Sequence, residues 1–143
     1  MIQTYYEQVA IVDTSAVIAL HDPQERYHAD VRSYYVTNTQ DLVWAAVDLT
    51  SHECFTTVRY SKGFQPALEH YNFLRATGIK LIRFQPEDET QTLALLTKYS
   101  DHKLSFHDAA CAAIMKRVGI FRILTLDGDF MPFGFEILPG PIR

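Results

Sequence analysis

The stretch Val9-Ala10-Ile11-Val12-Asp13-Thr14-Ser15-Ala16 decides how this chain is read. Four apolar residues rich in β-branched types predict a short strand buried on both faces. The run stops at an aspartate, two hydroxyl residues follow, and Ala16-Val17-Ile18-Ala19-Leu20 continues as one buried helical segment. An acid therefore stands where a central strand hands over to a helix, the junction at which open parallel α/β sheets bind ligands. Aspartate is also a common helix N-cap, and for this residue taken alone the cap is the simpler explanation.

Working outward, Asp22-Pro23 closes the first helix, and Gln24 to Asn38 predicts a second with Tyr27, Val31, Tyr34 and Tyr35 at helical spacing. Leu42 to Val47 is a second buried strand, followed at once by Asp48 and a helix from about Leu49 to Tyr60. Lys62-Gly63 breaks that helix. Pro66 lies in the first turn of the next, and Gly78 is its expected C-cap. Ile79 to Phe84 predicts a third strand, and Pro86 opens a helix with an acidic first turn, which suits the helix dipole. Ser105 caps a further helix, whose small residues from Ala109 onward allow close packing on a sheet, and Gly119 ends it. Ile120 to Leu126 is a fourth strand, broken by Asp127-Gly128-Asp129, and Phe135 to Leu138 a short last one. Strands alternating with helices predict an α/β fold: a small parallel sheet of about five strands with helices on both faces, in one domain over residues 1–143.

The composition is 48% hydrophobic and 21% charged, which is that of a chain with a packed core rather than a disordered one. A net charge of −4 argues against a broad basic surface for nucleic acid, though not against a local basic groove. Cys54 and Cys111 lie in helix-like stretches without CxxC spacing and read as reduced core thiols. Met1 to Glu7 has neither a basic flank nor an apolar leader core, and no apolar run approaches the ~18 residues of a membrane span. The expectation is a soluble, cytoplasmic protein without a membrane partner.

Four acids matter, and each has a structural explanation. Asp13 reads as a cap. Thr50-Ser51-His52-Glu53 matches a capping box, as does Ser105 with Asp108 three residues on. Asp127 before Gly128 reads as a turn. The polarity of the sheet changes the weighing. Asp13 and Asp127 end strands, Glu53 lies in the first turns of the helix leaving strand two, and Asp108 opens the helix feeding strand four. All four reach one carboxyl rim if strands one, two and four are neighbours. Converging carboxylates raise one another's pKa, and a hard divalent cation such as Mg²⁺ or Mn²⁺ relieves that repulsion while keeping waters for chemistry.

The ordered set Val12-Asp13-Thr14-Ser15-Ala16, Glu53, Leu104-Ser105-Phe106-His107-Asp108-Ala109-Ala110 and Leu124-Thr125-Leu126-Asp127-Gly128-Asp129-Phe130 resembles the PIN-domain nucleases, most of all the single-domain bacterial toxins of VapC type. The resemblance implies a Mg²⁺- or Mn²⁺-dependent ribonuclease whose acidic quartet falls on Asp13, Glu53, Asp108 and Asp127. Its hydroxyl positions fall on Thr14, Ser15 and Thr125. It also implies a homodimer and a small antitoxin protein that blocks the site. The doubled acid is a departure: Asp129 is a supporting partner or a second choice for the fourth position. The acidic balance is another, because an RNA substrate needs phosphate contacts. Arg59, Lys62 and Lys103 are placed near the rim to supply them, although each is also explained as a solvated helix end.

His52 and His107 directly precede the two helical acids. Adjacent helical positions point about 100° apart, so His107 is expected to aim away from Asp108 and both histidines to be partly exposed. Tyr5, Tyr6, Tyr34, Tyr35 and Tyr60 could stack on bases, but scattered tyrosines are more often packing residues. Two other classes are weighed. A haloacid-dehalogenase-like phosphatase wants a second acid two residues after the first, where Ser15 stands. A non-catalytic receiver-like binding module pairs acids after strand one and carries a late lysine, and here Thr14 follows Asp13 and no lysine follows Leu126.

Overall fold

The computed structural model describes residues 5–140, with the side chains of Tyr5 and Tyr6 outside the described part. Five parallel strands form one sheet: β1 (Val9–Val12), β2 (Val43–Val47), β3 (Lys80–Ile82), β4 (Arg122–Leu124) and β5 (Glu136–Leu138), in the order β3-β2-β1-β4-β5. The helices are α1 (Thr14–His21), α2 (His28–Asn38), α3 (Asp48–Lys62), α4 (Phe64–Ala76), α5 (Pro86–Lys98) and α6 (Phe106–Val118). A 3-10 segment, Gly128–Phe133, separates the last two strands.

Strand alternation divides the core in two. Val9 and Ile11 face one side with Ala45, Val47 and Ile123, where α5 and α6 cover them through Leu95, Ala112 and Met115. Ala10 and Val12 face the other side with Trp44, Ala46 and Leu124, beneath α1, α2, α3 and α4 through Val17, Val31, Cys54 and Leu74. Each residue of β1 is thus buried, although neighbours point to opposite faces, which is why the strand reads as an unbroken apolar run. The chain leaves β1 toward β2 on one side and returns from α6 to β4 on the other. The strand order therefore reverses between β1 and β4, and the ligand crevice of such a sheet opens there.

Strands β3 and β4 are shorter than the sequence expectation, and three local features differ from it. Helix α2 starts at His28 rather than Gln24, because Asp22 captures the chain: its Oδ1 accepts from the Gln24 amide at 2.9 Å and its carbonyl from the Glu25 amide at 3.1 Å. Helix α4 stops at Ala76 with Thr77, not Gly78, at its end. The Thr77 hydroxyl donates to the Leu74 carbonyl and accepts from the Ile79 amide, closing the helix without a left-handed glycine. The Glu53 capping box is absent, since α3 begins at Asp48 and Thr50 lies within its first turn.

The α5–α6 pair is fastened by a buried carboxylate. Asp88 accepts from Arg117 Nε at 2.7 Å and from its terminal nitrogen at 2.9 Å, and also takes the Gln85 amide in a capping box. These donors hold the Asp88 carboxyl below the usual range against the opposing effect of burial. Arg117→Ala leaves that acid buried without its fork of donors, and is expected to lower stability by about 2 kcal/mol in urea unfolding.

Candidate active site

Four segments deliver acids to the carboxyl rim. Asp13, Glu53, Asp108 and Asp127 line one cleft of about 400 Å³, together with Thr14, Ser15 and Lys62. The neighbours required are present, since β1 lies between β2 and β4.

Asp13 occupies the N-cap position of α1 yet makes no side-chain cap bond. It is 2% exposed. Its Oδ2 accepts from Thr125 Oγ1 at 2.9 Å and Ser15 Oγ at 3.2 Å, whereas Oδ1 is buried with no hydrogen-bond partner. The cap explanation therefore fails at this residue. Ser15 Oγ also accepts from the Leu126 amide at 3.0 Å, and Thr125 Oγ1 accepts from the Asp127 amide at 3.0 Å. These bonds stitch the end of β1 to the end of β4, orient one oxygen of Asp13 and leave the other bare. Thr14 is buried, and its hydroxyl is likewise unpartnered.

Asp108 combines its two readings. Ser105 Oγ accepts from the Asp108 amide at 3.0 Å, and Asp108 Oδ2 accepts from the Ser105 amide at 3.3 Å, so the capping box forms while the carboxyl lines the cleft. Asp127 also does both, since its Oδ1 accepts from the Asp129 amide at 2.9 Å. Carboxylate oxygens of Asp108, Asp127 and Asp129 all lie within 4.8 Å of one another. Glu53 is a third exposed along its side chain, and its Oε1 stands 3.3 Å from His107 Nδ1.

His107 corrects the sequence expectation. It is 6% exposed and packs among the acids rather than away from them. Its Nε2 hydrogen-bonds Thr50 Oγ1 at 2.8 Å, and its Nδ1 lies 3.8 Å from Asp13 Oδ1 and 3.9 Å from Asp108 Oδ1. The side chain of Asp108 folds back toward Ser105, which brings it to the imidazole despite the angular separation along the helix. Cys111, one turn further along α6, places Sγ 3.5 Å from Nε2. His52, in contrast, is exposed.

The electrostatics follow. Burial pushes the Asp13 carboxyl up to about 6; Asp108 adds to the rise, while His107 and Thr125 oppose it. Burial disfavours charge on His107, yet Cys111, Asp108 and Asp13 raise its pKa to about 11. Asp127 is raised by burial and by the carboxylates of Asp108 and Asp129. This is an excess of negative charge with bare, inward-facing oxygen, and a divalent cation fits it. Among the cations placed near the rim, Lys62 lines the cleft but is paired with Asp22 and stands 3.9 Å from Glu25. Arg59 lies over the Phe64 ring and Lys103 is exposed; neither lines the cleft. Tyr35 stacks on Trp44 and Tyr34 meets it edge-on, so both are packing residues.

The fold has relatives among known proteins. The family model described as PIN domain matches residues 10–135. The 23S rRNA-specific endonuclease VapC20 of Mycobacterium tuberculosis is 27% identical over 136 residues, covering 90% of this chain and 97% of that protein. The crystal structure of VapC20, titled a sarcin-ricin loop cleaving toxin, superposes with a TM-score of 0.79 at 23% identity over 89% of this chain and 95% of that one. VapBC2 from Rickettsia felis, bound to a DNA fragment from its promoter, gives 0.70 at 11% identity over 90% and 96%.

Proposed function

The chain belongs to the PIN-domain family, and from that membership we propose that it is a divalent-metal-dependent endoribonuclease acting as the toxin of a toxin–antitoxin pair. The observation that carries the reading is Asp13 Oδ1: a buried carboxylate oxygen, unpartnered, at the strand-order switch, on a residue that lines one cleft with three further acids. Asp13, Glu53, Asp108 and Asp127 would hold Mg²⁺ or Mn²⁺, with Asp129 supporting the Asp108–Asp127 side. A bound ion supplies Lewis acidity, which activates water for in-line attack on phosphorus and offsets charge on the leaving oxygen.

The chain's own residues set the geometry. Thr125 and Ser15 hold Asp13 by one oxygen and leave the other unpartnered. The capping box fixes Asp108, and the turn at Gly128 fixes Asp127. Lys62, released from Asp22, supplies a phosphate contact at the cleft wall. The name of the M. tuberculosis relative makes ribosomal RNA, and the sarcin–ricin loop within it, the first substrate to test. A fold relative titled a toxin–antitoxin complex, from Klebsiella pneumoniae, supports a small antitoxin protein as partner. A homodimer and a cytoplasmic location complete the proposal; among the described residues no helix is long and apolar enough to cross a membrane.

The test is cleavage of a structured ribosomal RNA fragment by purified protein in Mg²⁺ or Mn²⁺, beside Asp108→Asn. Cleavage by the parent alone, abolished by EDTA, is the expected result. Equal cleavage by both proteins would overturn the reading.

A further inference from the structure

Besides its carboxylates, the rim holds a buried imidazole that the nuclease reading does not use. Three acids surround His107 Nδ1: Glu53 Oε1 at 3.3 Å, Asp13 Oδ1 at 3.8 Å and Asp108 Oδ1 at 3.9 Å. None of these contacts has hydrogen-bond geometry, and Asp13 Oδ1 has no partner at all. Two atoms bound at about 2.1 Å to one ion stand about 3.0–3.4 Å apart when adjacent and farther when opposed. Each acid oxygen thus stands from Nδ1 about as two ligands of one ion do, and Asp13, His107 and Cys111 offer ligand atoms within 4.8 Å of one another. The opposite ring nitrogen supports this. Nε2 lies 2.8 Å from Thr50 Oγ1, a buried hydroxyl. With the Nε2 hydrogen donated to Thr50, Nδ1 is the nitrogen that faces the acids, and a metal-binding histidine is oriented in this way by an oxygen partner on its other nitrogen.

We infer that His107 Nδ1 is a metal ligand, and that it makes an inner cation position, shared with Asp13, Glu53 and Asp108, selective for first-row transition ions over Mg²⁺. The inference rests on the metal-dependent reading of the same cleft and assigns to it a nitrogen donor. Ion binding replaces the proton on Nδ1, which passes to solvent. The outer group of Asp108, Asp127 and Asp129 offers oxygen alone and suits Mg²⁺ or Mn²⁺ equally. An imidazole adds affinity for Mn²⁺ and more for Zn²⁺, while Mg²⁺ gains little from it. Cys111 Sγ, within 4.8 Å of the ligand atoms that Asp13 and His107 offer, gives that end of the site a softer wall.

The experiment uses the unaltered protein labelled with ¹⁵N-histidine and loaded with one equivalent of Mn²⁺. Pulsed EPR is expected to show coupling of the manganese to a directly bound histidine nitrogen. Calorimetric titration is expected to give tighter Mn²⁺ than Mg²⁺ binding, with Thr50→Val weakening Mn²⁺ by roughly 10–100-fold and Mg²⁺ by much less. His107→Gln, checked for folding by circular dichroism, should lose the nitrogen coupling. Manganese bound without histidine coupling, or Thr50→Val and His107→Gln binding both ions as the parent does, would overturn the inference. RNA cleavage, measured separately, keeps the two readings apart. Cleavage by a protein lacking the coupling leaves the nuclease reading standing alone, and coupling in a protein that never cleaves RNA leaves the metal position standing alone.

Discussion

Asp13→Asn is expected to reduce RNA cleavage by about a thousandfold or more while leaving the metal-free protein as stable as the parent or more so. Asparagine keeps an oxygen to accept from Thr125 and Ser15, so the β1–β4 stitch survives. It removes the charge that burial penalises. Because folding raises the Asp13 pKa from the ordinary 3.8 to about 6, the acid contributes no penalty below pH 3.8, where both states are protonated. As pH rises through 6 the folded state must carry the buried charge, at a cost of about 3 kcal/mol. The metal-free parent should therefore lose stability between pH 4 and 7, and Asp13→Asn should lose less. Mn²⁺ at about 1,000 times its Kd should reverse the ranking, since it then stabilises the parent by about 4.1 kcal/mol. Thermal unfolding at two pH values, with and without Mn²⁺, reads all three effects. A variant that is less stable than the parent without metal would mean that Asp13 has a structural role after all.

Phe130→Ala is expected to destabilise the protein by about 3–5 kcal/mol. Phe130 is fully buried and is the apolar anchor of the 3-10 segment that begins beside Asp127 and Asp129. It packs in the α6-side core near Phe133, with ring centroids 6.2 Å apart. Without that anchor the turn holding Asp127 has only the Asp129 amide and the Thr125 hydroxyl to fix it. Cleavage by the folded fraction should fall as well. Met131→Ala, one residue along and 71% exposed, should stay within about 0.5 kcal/mol of the parent. Urea midpoints of the pair, with activity corrected for the folded fraction, make the comparison.

The strands were legible because β1 and β2 are unbroken apolar runs, and sheet polarity then placed the acids without any side-chain detail. The junction at Asp13 was legible as a position but not as a role. Whether it capped α1 depended on hydroxyls of Ser15 and Thr125, and Thr125 arrives from 112 residues away. Glu53 looked like half of a capping box because three-residue spacing carries no information on where a helix begins; α3 starts two residues earlier and frees Thr50 for His107. His107 was misplaced for a related reason. Backbone angles separate it from Asp108, but side-chain length and the backward fold of Asp108 onto Ser105 close the gap. Pattern fixes directions along an element, whereas contacts between elements depend on rotamers that pattern does not contain.

The central claim is that this rim hydrolyses RNA with metal-activated water. The chemistry of the cut ends tests it most directly. Ribosomal RNA fragments incubated with metal-free protein, then with Mg²⁺ or Mn²⁺ restored, should be cut only after metal addition. The products should carry 5′-phosphate and 3′-hydroxyl ends, since water attacks phosphorus and the 3′-oxygen leaves. Cleavage that proceeds in EDTA, or products ending in a 2′,3′-cyclic phosphate, would contradict it.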